Sequence, residues 1–225
     1  MKKPGTKKII AQEPLYRKAV YAVIILTVLT LIVYFRTVSL DYTRLDDSIF
    51  IVENESFNAD LKNLVTSFQR GLFHPTQDAY YRPVFLVDFI LESKLFGTNP
   101  AGYHFSNLLY HILSVLLLYF FLKKTGLDPL DGLILSSIFS VHPVLTQAVA
   151  WIPGRNDMLL MIFFLGSFLL LLRFLEKSAW WTFPAHVLLF LVALFTKETA
   201  IISPVIMAGY MLVIKRISWK RLILP

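Results

Sequence analysis

Long runs of apolar residues constrain this sequence more than any other feature. The first run, residues 19–35, contains no charged side chain and is flanked by Arg17, Lys18 and Arg36. A helix needs about 20 mainly apolar residues to cross a bilayer, and this run reaches that length with its flanks. The later runs cover residues 102–122, 130–152, 158–172, 179–195 and 200–214. The pattern predicts an all-α, multi-pass transmembrane helical bundle of about six spans.

Composition supports a membrane protein over a soluble domain. Hydrophobic residues make up 56% of the chain and charged residues 16%, and the mean hydropathy is +0.62. A soluble domain carries about 25% charged residues, so much of this chain has no face suited to water. The chain has no cysteine, which excludes a disulfide framework and thiolate chemistry.

The net charge of +7 is an orientation signal, because the basic residues lie at the ends of the apolar runs. This placement argues against a nucleic-acid partner, which would need basic residues along one face. With the N-terminus in the cytoplasm and six crossings, most Lys and Arg residues fall on the inner side. We therefore predict a cytoplasmic basic N-terminus over residues 1–18. Residues 19–225 would form the transmembrane domain, with a large outer loop over residues 41–100.

Two interfacial helices are predicted in the outer loop. In the first, Asn58 caps a helix that ends at Gly71, since the apolar residues at 61, 64, 65 and 68 follow helical spacing. The second begins at Pro83 and stops at Gly97. It should lie in the interface or against other helices rather than span the bilayer, because its apolar sequence carries two carboxylates.

Charged residues are absent from the middle of every apolar run, where each would cost roughly 2.5–3.5 kcal/mol. On the predicted topology they gather at the outer ends of the spans. This group contains Asp46, Asp47, Arg82, Arg155, Asp157, Lys197 and Glu198, with His142 at or just below the same level. Transporters usually place such groups near the midplane, so the pattern fits a reaction at the outer interface better.

Two acidic residues, Asp46 and Asp47, follow the first span closely. A carboxylate there could act as a general base on an incoming hydroxyl or bind a hard divalent cation. The alternative is that both residues cap a turn or are simply solvated.

Three basic residues could meet an anion. Arg82 follows Tyr80 and Tyr81, and arginine can hold a phosphate bidentately while aromatic rings suit sugar faces. An aromatic belt with an ordinary interfacial arginine explains the same residues. Arg155 is left free for an anion, since helix capping accounts for Asp157. The Lys197–Glu198 turn either ends two helices or binds a lipid-linked phosphate.

His104, Asn107 and His111 share one face of the second span. Such a polar stripe faces protein rather than lipid. We interpret it as interhelical hydrogen bonding, because no third ligand for a metal is evident.

Taken in order, these motifs resemble the membrane half of a known family. The motifs are Leu45-Asp46-Asp47, Tyr80-Tyr81-Arg82-Pro83, the run from Gly102 to His111, His142-Pro143-Val144, Gly154-Arg155-Asn156-Asp157 and Lys197-Glu198. They resemble the transmembrane O-mannosyltransferases and their bacterial relatives, which belong to the C-type (GT-C) glycosyltransferases and are often followed by tetratricopeptide repeats. The resemblance runs from about residue 46 to residue 204.

The resemblance implies a membrane glycosyltransferase that uses a polyprenyl-phosphate sugar, with mannose as the implied sugar. An acidic residue of the first outer loop would be the catalytic base, which carries over to Asp47 or Asp46. Arg82, Arg155 and Lys197 match basic positions that could steady the leaving phosphate. The predicted substrate-binding set is Tyr81, Arg82, His142, Arg155, Lys197 and Glu198.

The resemblance also has limits. Leu145 and Gln147 depart from the relatives' frequent His-Pro-Val-His-Thr-Glu pattern, which puts any acid or imidazole function in that turn in doubt. Such enzymes have roughly twice as many spans, so the chain looks like a partial GT-C module. An isolated product of this length need not be active.

Other hypotheses about the function stay open. A transporter or flippase of lipid-linked sugars would share the phosphate-binding cations, and a non-catalytic membrane anchor or truncated product would need none of the polar residues. The partners implied are a lipid-linked sugar donor, a protein or glycan acceptor and membrane lipids. The bacterial inner membrane is the favoured location, or the endoplasmic reticulum in a eukaryote.

Overall fold

The computed structural model describes residues 15–43, 46–73 and 80–216, and these residues are predominantly helical. Most of the predicted basic N-terminus lies outside this part of the chain. The long helices are α1 (Leu15–Tyr34), α4 (Pro83–Phe96), α5 (Pro100–Thr125), α6 (Pro129–Val141), α8 (Arg155–Lys177) and α9 (Thr182–Thr196). The short ones are α2 (Glu55–Asn58), α3 (Asn63–Thr66), α7 (Thr146–Ala150) and α10 (Ser203–Gly209). The all-helical fold class is confirmed.

Three stretches are long and apolar enough to cross a membrane, namely Ala19–Ser39, Pro100–Thr125 and Ile152–Lys177. A fourth crossing is possible if α6 and the helical residues Pro143–Ala150, bent by 49° relative to each other, form one broken span. The last two apolar stretches, Thr182–Thr196 and Glu198–Ile214, are shorter than these. The chain is thus a multi-pass membrane protein, while the count of six crossings and the predicted domain boundaries stay predictions.

The break after α6 has a local cause. Pro143 lacks a backbone N–H and restricts the preceding residue, which takes extended angles (φ −66°, ψ 127°) at His142. A 3-10 turn, Pro143–Leu145, then leads into α7. The helix α6 therefore ends at Val141.

The second predicted loop helix is confirmed as α4. Pro83 occupies its first turn, and Gly97 ends it at φ +58°, where a side chain would be strained. The helix packs against other protein elements. Phe85, Leu86 and Phe89 on α4 are buried in one cluster with Phe50 and with Tyr103 of α5. This cluster is the core of the outer loop.

The prediction of the first loop helix is wrong. Asn58 is the last residue of α2, and its buried amide donates to the carbonyl of Phe50 at 2.7 Å instead of capping a helix. Only the single turn of α3 follows. Leu61, Val65 and Phe68 are exposed, although the Phe68 ring meets Phe195 edge-on, so the apolar stripe that would stabilise a longer helix is not buried.

The ends of the bundle are distinguished by their ion pairs. Lys124 at the end of α5 pairs with Glu176 near the end of α8. At the opposite end of α8, Arg155 contacts α4 and the first turn of α5. The turn after α9 lies at this same end, because Lys197 pairs with Asp157. The polar residues of interest therefore share one end of the bundle.

Gly154 offers a test of how α7 packs on the start of α8. A Cβ at Gly154 would lie 2.6 Å from the Gln147 carbonyl oxygen and 3.0 Å from Ala148 Cα, both backbone atoms. We expect Gly154→Ala to lower the free energy of unfolding by about 1–3 kcal/mol, since the backbone must shift. Thermal unfolding of the purified protein in detergent measures this.

Gly132→Ala is the matched control, since a Cβ there meets the Tyr119 ring at an ordinary 3.7 Å. Equal melting temperatures for the two variants would contradict the packing described.

Candidate functional site

Asp47 is fully buried in the segment between α1 and α4. Its Oδ2 accepts hydrogen bonds from the backbone N–H of Thr43 at 2.7 Å and the Thr43 hydroxyl at 2.8 Å. Its Oδ1 has no hydrogen-bond partner among the described residues. One oxygen thus fixes the carboxylate, and the other is left unpaired. Leaving a buried polar atom unpaired costs about 1–3 kcal/mol, which favours a functional role for this oxygen.

The surroundings of Asp47 are negatively charged. Burial and the nearby charges of Asp41 and Asp47 raise the pKa of Tyr42 to about 12. The Tyr42 hydroxyl donates to the carbonyl of Thr98 and so connects the loop to the start of α5. Asp46 is only half-buried and precedes the fixed carboxylate. The two predicted acids therefore differ: Asp47 is held, and Asp46 is more accessible.

Arg155 is also fully buried, but it is not free for an anion as the sequence suggested. Its Nη1 donates to Asp88 Oδ2 at 2.8 Å and to Glu92 Oε2. Its Nη2 donates to the Tyr103 carbonyl at 2.9 Å and its Nε to the Ile152 carbonyl at 3.1 Å. A buried charge needs such partners. Arg155 therefore connects α4, α5 and α8.

Sequence reasoning missed the carboxylates that hold Arg155. Asp88 and Glu92 are four residues apart on α4, so they share one face of an apolar helix. Charged residues are rarely buried without a partner, and this spacing was a signal that a cation lay opposite. The Tyr110 hydroxyl donates to Asp88 Oδ1 at 2.6 Å and completes the cluster. Burial raises the pKa of Glu92, against the opposing influence of Arg155.

Arg82, at the start of α4, forms a bidentate pair with Glu198. Its Nε lies 2.9 Å from Oε2 and its Nη2 lies 2.6 Å from Oε1. The guanidinium also stacks over the Tyr80 ring, 4.9 Å from its centroid. Hydrogen bonding to Arg82 holds the pKa of Glu198 below its ordinary value. The structure thus brings together residues 116 positions apart that the sequence had assigned to the same set.

Lys197, the neighbour of Glu198, pairs with Asp157 in the first turn of α8. Its Nζ also lies 3.5 Å from the amide oxygen of Asn156. The sequence attributed Asp157 to helix capping, whereas the structure shows it paired with Lys197. The two residues of the Lys197–Glu198 turn therefore connect to two different helices, α8 and α4.

Tyr81 and His142, the other two members of the predicted substrate-binding set, make different contacts. The Tyr81 hydroxyl donates to the Phe68 carbonyl at 2.9 Å, and its half-exposed ring packs edge-on against Phe195. His142 is exposed, and its Nδ1 accepts from the Val144 N–H at 3.3 Å, which caps the turn after α6. The described contacts do not join His142 to Arg82 or Lys197. Its substrate-binding role stays a prediction.

The hydrogen bonding between helices that we predicted for the polar stripe on α5 is confirmed for Asn107 and His111. The ring nitrogens of His104 make no hydrogen bond to another helix among the described residues. The side-chain amide of Asn107 donates to the carbonyls of Val149, Trp151 and Ile152, and His111 Nε2 lies 2.9 Å from the Ser140 carbonyl. All three residues of the stripe are buried.

An apolar cavity of about 180 Å³ opens beside the Lys197–Asp157 pair. It lies between α8 and residues 199–206. Its lining includes Asp157, Leu160, Phe164, Thr199, Ser203 and Ile206. Apart from Asp157, Thr199 and Ser203, the lining is apolar, which suits a hydrocarbon chain.

The divalent cation considered at Asp46 and Asp47 stays a prediction. Within the described part of the chain, no group of three or more His, Asp and Glu side chains is arranged to hold a metal ion. Asp47 Oδ2 is already hydrogen-bonded to Thr43. We therefore derive no chemical step from a metal ion at this pair.

The fold and the clustered charges define a multi-pass membrane protein with a polar centre at one end of its helices. Residues 83–224 match the family model described as dolichyl-phosphate-mannose-protein mannosyltransferase, and the chain belongs to this family. The match includes Arg155, Lys197 and Glu198. Asp46, Asp47 and Arg82 precede it.

Similar proteins carry related names. The chain is 34% identical over 161 residues to human protein O-mannosyl-transferase TMTC3, covering 67% of this chain and 17% of that protein. It is 31% identical over 188 residues to Caenorhabditis elegans protein O-mannosyl-transferase F38B6.6, covering 80% of this chain and 26% of the relative. It is 37% identical over 142 residues to mouse protein O-mannosyl-transferase TMTC4, covering 55% of this chain and 19% of the relative. The chain thus spans about a quarter or less of these proteins. No solved structure matches it significantly.

Removing the guanidinium of Arg155 should destabilise the site strongly. We expect Arg155→Met to lower the free energy of unfolding by about 3–5 kcal/mol, because it leaves buried carboxylates without their cation. Thermal unfolding in detergent measures the effect. Adding Asp88→Asn and Glu92→Gln to Arg155→Met should restore part of the loss.

Arg173→Met is the control, since Arg173 is exposed and stacks on Trp181. We expect it to change the unfolding free energy by about 1 kcal/mol or less. An Arg155→Met protein as stable as this control would show that the buried cluster is not needed.

Proposed function

We propose that this chain contributes the donor site and the catalytic base of a membrane glycosyltransferase. The enzyme would transfer mannose from a polyprenyl-phosphate donor to a hydroxyl of a protein acceptor at the outer membrane face. The observation that carries the proposal is that Arg82 and Lys197 meet neighbouring carboxylates, Glu198 and Asp157, at the same end of the bundle as buried Asp47. Membership of the mannosyltransferase family supports the sugar and acceptor class.

The two cations suit the phosphate of a lipid-linked donor. The fork of the Arg82 guanidinium matches phosphate oxygens in the same bidentate geometry that it now uses for Glu198. The apolar cavity beside Asp157 is placed to receive the first part of a polyprenyl chain. A phosphate held at Arg82 and Lys197 would thus have its hydrocarbon next to α8. Arg155 has no part in this step, since its donors are already engaged.

The transfer step needs a base and a stabilised leaving group. The acceptor oxygen attacks the anomeric carbon of mannose while the bond from that carbon to the phosphate oxygen breaks. The acceptor proton passes to the free Oδ1 of Asp47, and the electron pair of the broken bond stays on the phosphate, where Arg82 and Lys197 stabilise it.

The location follows from the same proposal. The site lies on the non-cytoplasmic side, which is the periplasmic face of a bacterial inner membrane or the luminal face of the endoplasmic reticulum. The N-terminus would then be cytoplasmic.

Loss of the Asp47 carboxylate tests the proposed base. We expect Asp47→Asn to reduce mannose transfer about 10²- to 10⁴-fold, because no carboxylate remains there to accept the proton of the acceptor hydroxyl. The measurement is transfer of radiolabelled mannose from polyprenyl-phosphate mannose by the purified full-length protein. Binding of the donor should persist, which separates this effect from unfolding.

Glu53→Gln is the matched control, since Glu53 is an exposed acid of the same loop, and its activity should stay at the wild-type level. Normal transfer by both Asp46→Asn and Asp47→Asn would refute the assignment. Movement of the lipid-linked sugar across the bilayer without transfer, unaffected by Asp47→Asn, would instead establish a transporter or flippase.

Sidedness is testable because the chain has no cysteine of its own. We expect single cysteines at exposed Asp60 and Thr199 to react with an impermeant thiol reagent from the same, non-cytoplasmic side. A cysteine at Lys177, near the opposite end of α8, should react only from the cytoplasmic side. Labelling of positions 60 and 199 from opposite sides would mean that the loop and the turn cannot form one site.

A further inference from the structure

Both cations assigned to the donor phosphate are already paired with carboxylates. Arg82 is engaged by Glu198 through both carboxylate oxygens, and Lys197 is engaged by Asp157. Each carboxylate therefore occupies the position that a phosphate oxygen would need. Because Lys197 and Glu198 are consecutive residues, both pairs involve the same turn after α9.

The exposure of these pairs is unequal. The side chains of Arg82 and Lys197 are 12% and 20% exposed, whereas those of Glu198 and Asp157 are both 53% exposed. The cations are held in the protein, and the carboxylates can turn toward solvent without leaving a buried charge. Each carboxylate is therefore easier to displace than a buried partner would be, and a more highly charged acceptor can replace it.

The neighbouring buried cluster behaves differently. The Arg155 side chain is fully buried, and its partners Asp88 and Glu92 are 14% and 5% exposed. Turning either carboxylate away would leave charge in an environment that cannot solvate it. This cluster is therefore permanent. It holds α4, which carries Arg82, against α8, which carries Asp157.

We infer that Glu198 and Asp157 are intramolecular substitutes for the donor phosphate, which hold Arg82 and Lys197 when no donor is bound and are displaced when it arrives. This inference rests on the proposed function, in which these two cations bind the phosphate of the lipid-linked sugar. Glu198 and Asp157 thereby determine which anions the site accepts.

The preference for a phosphate over a carboxylate follows from the number of acceptor oxygens and the charge of the two groups. A carboxylate occupies one cation at a time, as Glu198 and Asp157 do here. A phosphate group carries more negative charge and more acceptor oxygens than a carboxylate, so at either cation it gains stronger charged contacts than the carboxylate that it displaces. A lone carboxylate would exchange one weak pair for another and gain nothing. The site therefore discriminates against simple carboxylates at the membrane surface.

The competing carboxylate is charged near neutral pH. Hydrogen bonding to Arg82 holds the pKa of Glu198 below its ordinary value, so Glu198 is ionised wherever an unperturbed glutamate would be. Its competition with the phosphate is consequently present under ordinary conditions and does not depend on a change of pH.

The experiment is a binding titration of the purified full-length protein with a polyprenyl monophosphate in detergent micelles. Glu198→Gln should lower the Kd for this probe about two- to fivefold, because the competing pair is lost and Arg82 is released. Arg82→Gln should raise the Kd about tenfold or more, as expected for losing charged hydrogen bonds. In the double variant Arg82→Gln/Glu198→Gln, the Kd should equal that of Arg82→Gln alone.

Glu176→Gln is the matched control. Glu176 also pairs with a lysine at the surface, but at the opposite end of the bundle, and its replacement should leave the Kd unchanged. Asp157→Asn tests the second pair independently and should also lower the Kd.

The outcomes separate this inference from the proposed function. Weaker or unchanged binding by both Glu198→Gln and Asp157→Asn would overturn the inference, even if the wild-type protein transfers mannose. Failure of the wild-type protein to bind the monophosphate would also overturn it. Tighter binding by both variants, together with no mannose transfer by the wild-type protein, would support the inference and refute the proposed activity.

Discussion

The buried guanidinium of Arg155 is the interaction on which the geometry of the candidate site depends. It joins α4 of the outer loop to the start of α8 through Asp88 and Glu92, and it reaches α5 through the Tyr103 carbonyl. An arginine can connect three elements in this way because its donors form a rigid fork. Together with the equally buried apolar cluster of Phe85, Phe89 and Ile152, this contact holds α4, and with it Arg82, near the start of α8.

The site is thus organised in two layers of charge with different properties. The inner layer, around Arg155, is removed from solvent and fixes the helices. The outer layer, made of Arg82, Glu198, Lys197 and Asp157, lies at the surface, where water can replace each contact. A membrane enzyme that binds a charged lipid needs both properties, because the frame must persist while the contacts to the ligand exchange.

Local features of the fold were predictable from sequence, because they depend on neighbouring residues. Pro83 and Gly97 fix both ends of α4 through their backbone preferences, and Pro143 ends α6 for the same reason. The helix predicted from Asn58 was wrong because the amide found its partner in the Phe50 carbonyl, a tertiary contact that apolar spacing does not encode. The partner of Asp88 and Glu92 was equally inaccessible. Their spacing indicates that a cation is needed, but Arg82, Arg155 and Lys197 all satisfied that requirement.

The complete burial of Asp47 has a consequence for an enzyme that handles an activated sugar. A general base open to bulk solvent would deprotonate water as readily as an acceptor hydroxyl, and the glycosyl donor would be lost to hydrolysis. A carboxylate enclosed beneath the loop, and oriented by Thr43, meets only a nucleophile that the protein admits. For the proposed reaction, the loop around Asp47 therefore protects the cell's supply of lipid-linked sugar from wasteful breakdown.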